Sequence, residues 1–212
     1  MRGALRDQDA LVRHDPDLYR HLIVWVWVAW SIYWLIAAIG NKPTQRREAV
    51  ASRLTYMLAL VAGGLLIAWH RSTLGQLLDL RLWPQGALPY LVGLVVLASG
   101  LAFSVWARVH LGRNWSGNVT IKEGHELIRS GPYHYARHPI YTGILTGALG
   151  TAICSGTVRA VVGVAIITAA FIVKLRAEER FMREAFPGQY EKFGDEVPAL
   201  IPFTKPRRSA PR

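Results

Sequence analysis

Residues 140–173 read IYTGILTGALGTAICSGTVRAVVGVAIITAAFIV, two apolar runs joined by only three residues, SGT at 155–157. The runs cover about 140–154 and 158–173. Each is shorter than the roughly 20 residues that usually cross a bilayer. Because the link is so short, the second run must return along the first. The stretch therefore predicts a helical hairpin, tilted or partly sunk in a membrane, whose two outer ends lie on the same face.

Three further apolar runs precede the hairpin, at about 22–40, 54–69 and 88–106. Hydrophobic residues make up 51% of the 212-residue chain, and they are gathered into blocks. We therefore expect an all-α, polytopic membrane protein with about five transmembrane helices. Residues 1–106 form an N-terminal tail and three of these helices. Residues 107–212 hold the hairpin and a C-terminal amphipathic helix.

The formal net charge is +11. Such a charge is found in nucleic-acid-binding proteins, but also in membrane proteins whose cytoplasmic loops are rich in Arg and Lys. The apolar runs favour the second class, so no nucleic-acid partner is expected. With five spans, the loops 41–53 and 107–138 and the C-terminal tail share one face. All three carry several basic residues, which predicts that this face is cytoplasmic.

Charged residues flank the hairpin at both outer ends. Arg137 and His138 stand where the first run begins, and Glu178 and Glu179 follow the second. Charged groups at membrane depth are costly, and they are usually paired or functional. Because the hairpin returns to its starting face, these residues are expected to meet. The sequence alone thus predicts one interfacial site with cationic and anionic walls.

Pro139 restricts the backbone conformation at this site. Proline disfavours helical geometry in the residue before it and is well tolerated in the first turn of a helix. Arg137 and His138 are therefore expected at a helix N-terminus, which is a favourable place for an anionic group.

Four short elements carry a family resemblance: SGPY at 130–133, RHPIYTG at 137–143, the acidic pair at 178–179, and YEKF at 190–193. Together they resemble the isoprenylcysteine carboxyl methyltransferase family, related to integral-membrane phospholipid N-methyltransferases. The resemblance covers about residues 118–203. It implies that residues 107–212 are the catalytic region, with a cytoplasmic C-terminal cofactor-binding part, and that the cofactor is S-adenosyl-L-methionine.

The resemblance also implies roles for individual residues. The cofactor-binding set is Asn118, His125, Glu126, Leu127, Ile128, Tyr133, His138, Pro139, Tyr141 and Glu179. Catalytic roles are implied for Arg137, Glu178 and Glu179. Arg137 is also expected to contact the acceptor, as is either Lys174 or Arg176. No metal site is expected, because the turn-rich sequence before Pro139 makes it doubtful that a regular helix aligns His134 with His138.

The predicted function is methyl transfer to a lipid-like or lipid-attached acceptor, a small molecule or a peptide, at the membrane interface. Carboxyl O-methylation and amine N-methylation of a phospholipid or other amine both stay open. A nicotinamide-dependent reductase is a third hypothesis, since membrane sterol reductases have a similar Arg-His-Pro-x-Tyr region. Those reductases are much longer than this chain, which counts against it. A non-enzymatic membrane protein would leave the charged cluster unexplained.

Overall fold

The computed structural model describes residues 16–39, 44–47, 50–68, 76–112, 115, 120–122 and 127–204. Over these residues the protein is a bundle of long helices that coincide with the five apolar runs, so the helical membrane class is confirmed. A 3₁₀ turn (Gly131–His134) precedes the hairpin. The helices are α1 (Pro16–Ala37), α2 (Val50–Ala68), α3 (Ala87–Leu111), α4 (Pro139–Ser155), α5 (Val158–Ala185) and the short α6 (Gln189–Glu196).

Within the part of the chain that the structure describes, three helices are long and apolar enough to cross a membrane: Leu18–Ala37 of α1, Ala87–Leu111 of α3 and Val158–Ala185 of α5. Helix α4 has 17 residues and so extends for about 25 Å, somewhat less than a hydrocarbon core of about 30 Å. Large apolar side chains point outward, including Leu35 at 73% exposure and Val95 at 68%. Such a surface suits lipid rather than water. The protein is therefore an integral membrane protein, and five complete crossings stay a prediction.

Glycines allow α3 and α4 to pack with their backbones in contact. A Cβ atom built on Gly150 would lie 2.3 Å from the backbone nitrogen of Leu97, and one on Gly100 would lie 2.6 Å from that of Gly147. Small residues at such crossings are typical of membrane helices, where close packing replaces the hydrophobic effect between helices. The same device joins α2 to α5, where a Cβ on Gly63 would lie 2.8 Å from the carbonyl oxygen of Gly163.

The hairpin between α4 and α5 closes at Gly156, which adopts a left-handed conformation with φ 63°. Its N–H donates to the carbonyl of Ala152 at 2.9 Å and so ends α4, as glycine commonly does at a helix C-terminus. Helix α5 then runs back beside α4. The start of α4 and the acidic pair on α5 thereby come to one face, as the short link predicted.

Helix α1 packs through tryptophans that share one helical face. The indole N–H of Trp30 donates to Ser104 Oγ at 2.8 Å, and that of Trp27 donates to Thr151 Oγ1 at 3.0 Å. The Trp30 and Trp34 rings stack with centroids 4.6 Å apart. These contacts join α1 to α3 and α4, so the aromatic stripe belongs to the helix packing.

Segments distant in sequence meet where α4 begins. The N–H of Arg137 donates to the carbonyl of Pro198 at 2.9 Å, and the N–H of His138 donates to Ala199 at 3.0 Å. Two short strands, β1 (Thr44–Arg47) and β2 (Thr120–Lys122), form an antiparallel pair that links two of the basic loops. The pair is not predicted from the sequence, because its strands are too short to show an alternating pattern.

Replacing Gly150 by Ala tests the close helix contact. We expect a loss of about 1–3 kcal/mol in the free energy of unfolding, because the added methyl group forces α3 and α4 apart. The measurement is thermal unfolding of the purified protein in detergent. Gly64→Ala is the matched control, since nothing lies within 4 Å of a Cβ at that helical position. Equal melting temperatures in the two variants would contradict this account of the packing.

Candidate active site

The two charged ends of the hairpin meet around the imidazole of His138. Its Nδ1 lies 3.5 Å from Glu178 Oε2, and its Nε2 lies 3.4 Å from Glu179 Oε1. The hydroxyl of Tyr141 donates to Glu178 Oε1 at 2.5 Å. His138 and Glu179 are both buried. The structure thus brings His138 and the acidic pair together in a single, largely buried cluster, as the sequence predicted, and adds Tyr141 to it.

The backbone before α4 fixes where His138 points. His138 is the N-cap residue, with φ −121°, and Pro139 occupies the first turn of the helix. Pro139 itself is fully buried. The preceding 3₁₀ turn starts at Gly131, whose φ of 58° is left-handed and suits glycine. A Cβ at Gly131 would lie 2.7 Å from the ring of His110. The chain therefore enters α4 along a path that leaves the His138 side chain beside α5.

Arg137 connects this cluster to the C-terminal chain. Its Nε and Nη2 donate to Glu179 Oε1 at 3.1 and 2.6 Å. Its Nη1 donates to the carbonyls of Gly194 at 3.1 Å and Val197 at 2.5 Å. Four hydrogen bonds of this guanidinium therefore go to the protein itself. The geometry supports a role in holding Glu179 and the end of α6, and the expected contact of Arg137 with an acceptor stays a prediction.

The sequence left open whether Lys174 or Arg176 contacts the acceptor, and in the structure the two residues lie on different sides of α5. The ammonium of Lys174 lies 4.0 Å from Glu178 Oε1, and the residue is only 8% exposed. Arg176 lies on the exposed side of α5. The helical period explains the difference, since Lys174 is four residues from Glu178 and Arg176 is two. Of the two candidates, the structure brings Lys174 to the cluster.

The flanking chain supplies aromatic and apolar walls. Tyr133 is buried, and Ile128 packs against the same core as Tyr133. Leu127 packs instead against a small core of Tyr190, Phe193 and Val197. Of the other predicted cofactor residues, Asn118, His125 and Glu126 lie outside the described residues.

The pKa values of His138, Tyr133 and Tyr190, which lie outside the membrane helices, indicate the charge state of the site at neutral pH. Burial by itself lowers the pKa of His138, but its hydrogen bonds to Glu178 and Glu179 outweigh this, so the pKa is raised above the ordinary value. Burial raises the pKa of the Tyr133 hydroxyl, and the Glu178 charge adds to that effect. Burial likewise raises the pKa of Tyr190. At neutral pH the two tyrosines stay neutral, and His138 is biased toward its charged form.

Three residues of the cluster were missed by sequence reasoning. Arg183 donates to Glu179 Oε2 at 3.0 Å, and its spacing of four residues from Glu179 on one helix would have revealed it. Tyr190 is buried, and its hydroxyl interacts with Arg137; it lies inside the YEKF element already noted. Tyr56 of α2 is 2% exposed, and its ring lies 5.4 Å from the Lys174 ammonium. No sequence pattern distinguishes Tyr56 from other aromatic residues of membrane helices.

The numbers of acidic and basic side chains in the cluster indicate the charge of the ligands that suit it. Glu178 and Glu179 are faced by a larger number of basic side chains among the described residues: Arg137, His138, Lys174 and Arg183. Two carboxylates suit a cationic ligand, and the surplus of basic groups suits an anionic one. The charges of the cluster are therefore compatible with both a cationic and an anionic ligand. No group of three or more metal-ligating side chains occurs in the part of the chain that the structure describes.

Comparison with known proteins finds a matching family model and several similar proteins. The model of the isoprenylcysteine carboxyl methyltransferase (ICMT) family matches residues 91–184, which include most of α3, all of α4 and nearly all of α5. A probable protein-S-isoprenylcysteine O-methyltransferase of Oryza sativa is 29% identical over 179 residues, or 82% of this chain and 89% of that protein. Protein-S-isoprenylcysteine O-methyltransferase B of Arabidopsis thaliana is 24% identical over 159 residues, or 72% of this chain and 81% of that protein.

Among solved structures, the eukaryotic intramembrane Ras methyltransferase ICMT is similar, with a TM-score of 0.47 and 24% identity over 82% of this chain and 53% of that one. The matched family region contains both halves of the buried cluster, from Arg137 to Glu179. Similarity to the plant enzymes extends over most of both chains. The chain is therefore similar to the isoprenylcysteine carboxyl methyltransferase family over residues 91–184, and to plant proteins named as protein-S-isoprenylcysteine O-methyltransferases over most of its length.

Proposed function

We propose that this protein transfers a methyl group from S-adenosyl-L-methionine to the carboxylate of an isoprenylcysteine-like acceptor whose lipid chain stays in the membrane. The observation that carries the proposal is the buried cluster of Arg137, His138, Lys174 and the two glutamates at the end of α5. The plant relatives, named as protein-S-isoprenylcysteine O-methyltransferases, supply the substrate class.

The chemistry of the side chains fits the cofactor. Bound S-adenosyl-L-methionine supplies an electrophilic methyl carbon on a sulfonium, which is a cation. The buried carboxylate of Glu179 and the half-buried carboxylate of Glu178 would favour such a charge, and stacked rings line the same place. His138 and Tyr141 stack at 5.5 Å, and Tyr141 and Phe171 at 4.5 Å. Tyr133, Leu127 and Ile128 would complete the wall, with Asn118, His125 and Glu126 proposed from the family resemblance.

The residues of this chain contribute mainly by positioning. Methyl transfer is an in-line displacement that needs little covalent help, and correct placement alone can supply effective molarities of about 10⁵ M or more. Arg137 and Arg183 hold the two oxygens of Glu179, while Tyr141 and His138 hold Glu178. Burial of His138 and Glu179 keeps water away from the charges, which strengthens their interactions.

The state of His138 favours a carboxylate acceptor over an amine. A carboxylate is already a nucleophile at neutral pH, whereas an ammonium group must first lose a proton to a base. His138 is poorly suited to be that base, because its two glutamate partners bias it toward the protonated form. Lys174 in the same cluster can face an acceptor's negative charge. N-methylation of a phospholipid amine is therefore the less favoured alternative.

A cytoplasmic location of the site is also part of the proposal. The exposed basic residues near the cluster all lie beyond the apolar part of α5 or on the segment leading into α4: Arg129, Arg176, Arg180, Arg183 and Lys192. Basic residues beside membrane helices are most frequent on the cytoplasmic side. They would also attract the anionic lipids of that leaflet.

Binding of S-adenosylhomocysteine to the purified protein tests the cofactor. Saturating S-adenosylhomocysteine should raise the melting temperature, because a ligand at 100 times its Kd stabilises the folded state by about 2.7 kcal/mol. In Glu179→Gln the rise should be smaller, since a carboxylate charge is lost. Arg180→Gln, an exposed residue one position away, is the control. The proposal fails if the wild-type protein shows no rise and responds to a nicotinamide dinucleotide instead.

Arg137→Ala should lower turnover more than it weakens cofactor binding. The variant frees Glu179 and the end of α6, and misplacement of about 1 Å can cost 10²-fold in rate. The measurement compares kcat for methylation of N-acetyl-S-farnesyl-L-cysteine with the KM for S-adenosyl-L-methionine. A variant with wild-type kcat would remove Arg137 from the site.

The raised pKa of His138 predicts how its contribution to stability depends on pH. A group whose pKa is higher in the folded state stabilises the fold fully below its unfolded pKa, about 6.5 for histidine. The contribution is lost as the pH rises through the folded pKa. The difference in melting temperature between the wild type and His138→Asn should therefore shrink as the pH increases above about 6.5. A difference that stays constant or grows would contradict the charged state assigned to His138.

A further inference from the structure

Lys174 is a basic residue in an otherwise apolar part of α5. It is 8% exposed, and the residues before it, 160–173, carry no charge. An ammonium group at this depth needs compensation from its surroundings. Glu178 Oε1, 4.0 Å away, provides part of it, but the same oxygen also accepts the hydroxyl of Tyr141 at 2.5 Å. The position of the ammonium is therefore not set by Glu178 alone.

Two tyrosine rings lie against the Lys174 ammonium. Its Nζ is 5.4 Å from the ring centroid of Tyr56 and 5.3 Å from that of Tyr141. Both distances are within the roughly 6 Å at which a cation is attracted to an aromatic face, and the attraction is larger when the cation is desolvated. The ammonium thus has an aromatic face from α2, another from α4, and a carboxylate from its own helix.

The Tyr56 ring is held in place by the packing of α2 on α5. Tyr56 is 2% exposed. It precedes Gly63 by seven residues, or about two helical turns, so the two lie on the same face of α2. Gly63 packs directly against Gly163 and Ile167, since a Cβ added to it would lie 2.8 Å from the Gly163 carbonyl oxygen and 2.7 Å from the Ile167 side chain. Because α2 is fixed there, the ring has little freedom to move away from Lys174.

We propose that Tyr56 is a positioning residue for Lys174, and that its ring holds the ammonium where it meets the anionic group of the acceptor. This inference rests on the proposed function, in which Lys174 faces the acceptor. It assigns a role in acceptor recognition to α2, a helix outside the family match at 91–184. Tyr141 shares the contact, but its hydroxyl and ring already serve Glu178 and the aromatic stack. A substitution at Tyr56 therefore changes the cation–π contact with Lys174 without removing the contacts of Tyr141 to Glu178 and the aromatic stack.

The test compares Tyr56→Leu, which removes the ring, with Tyr56→Phe, which keeps it. Full-length protein in lipid nanodiscs is assayed with labelled S-adenosyl-L-methionine and N-acetyl-S-farnesyl-L-cysteine as the acceptor probe. Tyr56→Leu should raise the KM for the probe about five- to tenfold, consistent with loss of a desolvated cation–π contact. The KM for S-adenosyl-L-methionine should stay within about twofold of wild type, because the cofactor contacts are intact. Tyr56→Phe should restore the acceptor KM.

Combining a Tyr56 variant with Lys174→Met tests whether Tyr56 acts through Lys174. If Tyr56 acts through Lys174, the double variant Tyr56→Leu/Lys174→Met should have the same acceptor KM as Lys174→Met alone, because contacting residues are not additive. Leu58→Ala is the control on α2, since Leu58 is 67% exposed and faces away from the cluster. Tyr56→Met, with a flexible side chain that fills the space, replaces Tyr56→Leu if the latter does not fold.

The outcomes separate this inference from the function on which it rests. A wild-type protein that neither binds S-adenosylhomocysteine nor methylates the probe contradicts the proposed function. A wild type that does both, with an unchanged acceptor KM in Tyr56→Leu or Tyr56→Met, contradicts only the role of Tyr56. Additive effects in the double variant, or a Tyr56→Phe variant as impaired as Tyr56→Leu, would also overturn it.

Discussion

Glu179 is a carboxylate with 7% exposure near the end of a 28-residue, largely apolar helix. A charge in that position is costly unless opposite charges and hydrogen bonds surround it. Arg137 and Arg183 each donate to it, and His138 lies within 3.4 Å. Removing one partner from such a buried pair typically costs several kcal/mol. The arrangement of this face of the molecule depends on satisfying that one carboxylate.

The rest of the site follows from this requirement. Arg137 can reach Glu179 only if α4 begins where Pro139 places it, beside the C-terminal half of α5, and this in turn needs the tight turn at Gly156. The guanidinium also donates hydrogen bonds to the carbonyl of Gly194 in α6 and to that of Val197 just after it. The hairpin, the N-terminus of α4 and the C-terminal chain are thereby joined at one guanidinium. Helices α1 and α2 support this arrangement from outside, through Trp30 and Gly63.

Much of this could be predicted from the sequence, because it depends on local patterns. The apolar runs predicted the long helices, and the three-residue link predicted that Arg137 and His138 would meet Glu178 and Glu179. Arg137 itself shows the limit. The position of Arg137 beside Glu179 was predicted. Its hydrogen bonds to the carbonyls of Gly194 and Val197 were not, because these groups are about 60 residues away in sequence and no periodic pattern relates them to Arg137. The same is true of Tyr56, which reaches Lys174 only because two glycines bring α2 and α5 together. The choice between Lys174 and Arg176 was left open by the sequence, although the helical spacing from Glu178 favours Lys174.

The central claim is that this buried cluster supports methyl transfer to a carboxylate at the membrane interface. It is tested most directly by incubating the protein in nanodiscs with S-adenosyl-L-methionine labelled in the methyl group and N-acetyl-S-farnesyl-L-cysteine, then treating the product with alkali. The account predicts that the label enters the probe and is released as methanol, because a methyl ester is cleaved by base. Label that appears instead in phosphatidylethanolamine of the nanodisc, in an alkali-stable methylamine, would contradict it.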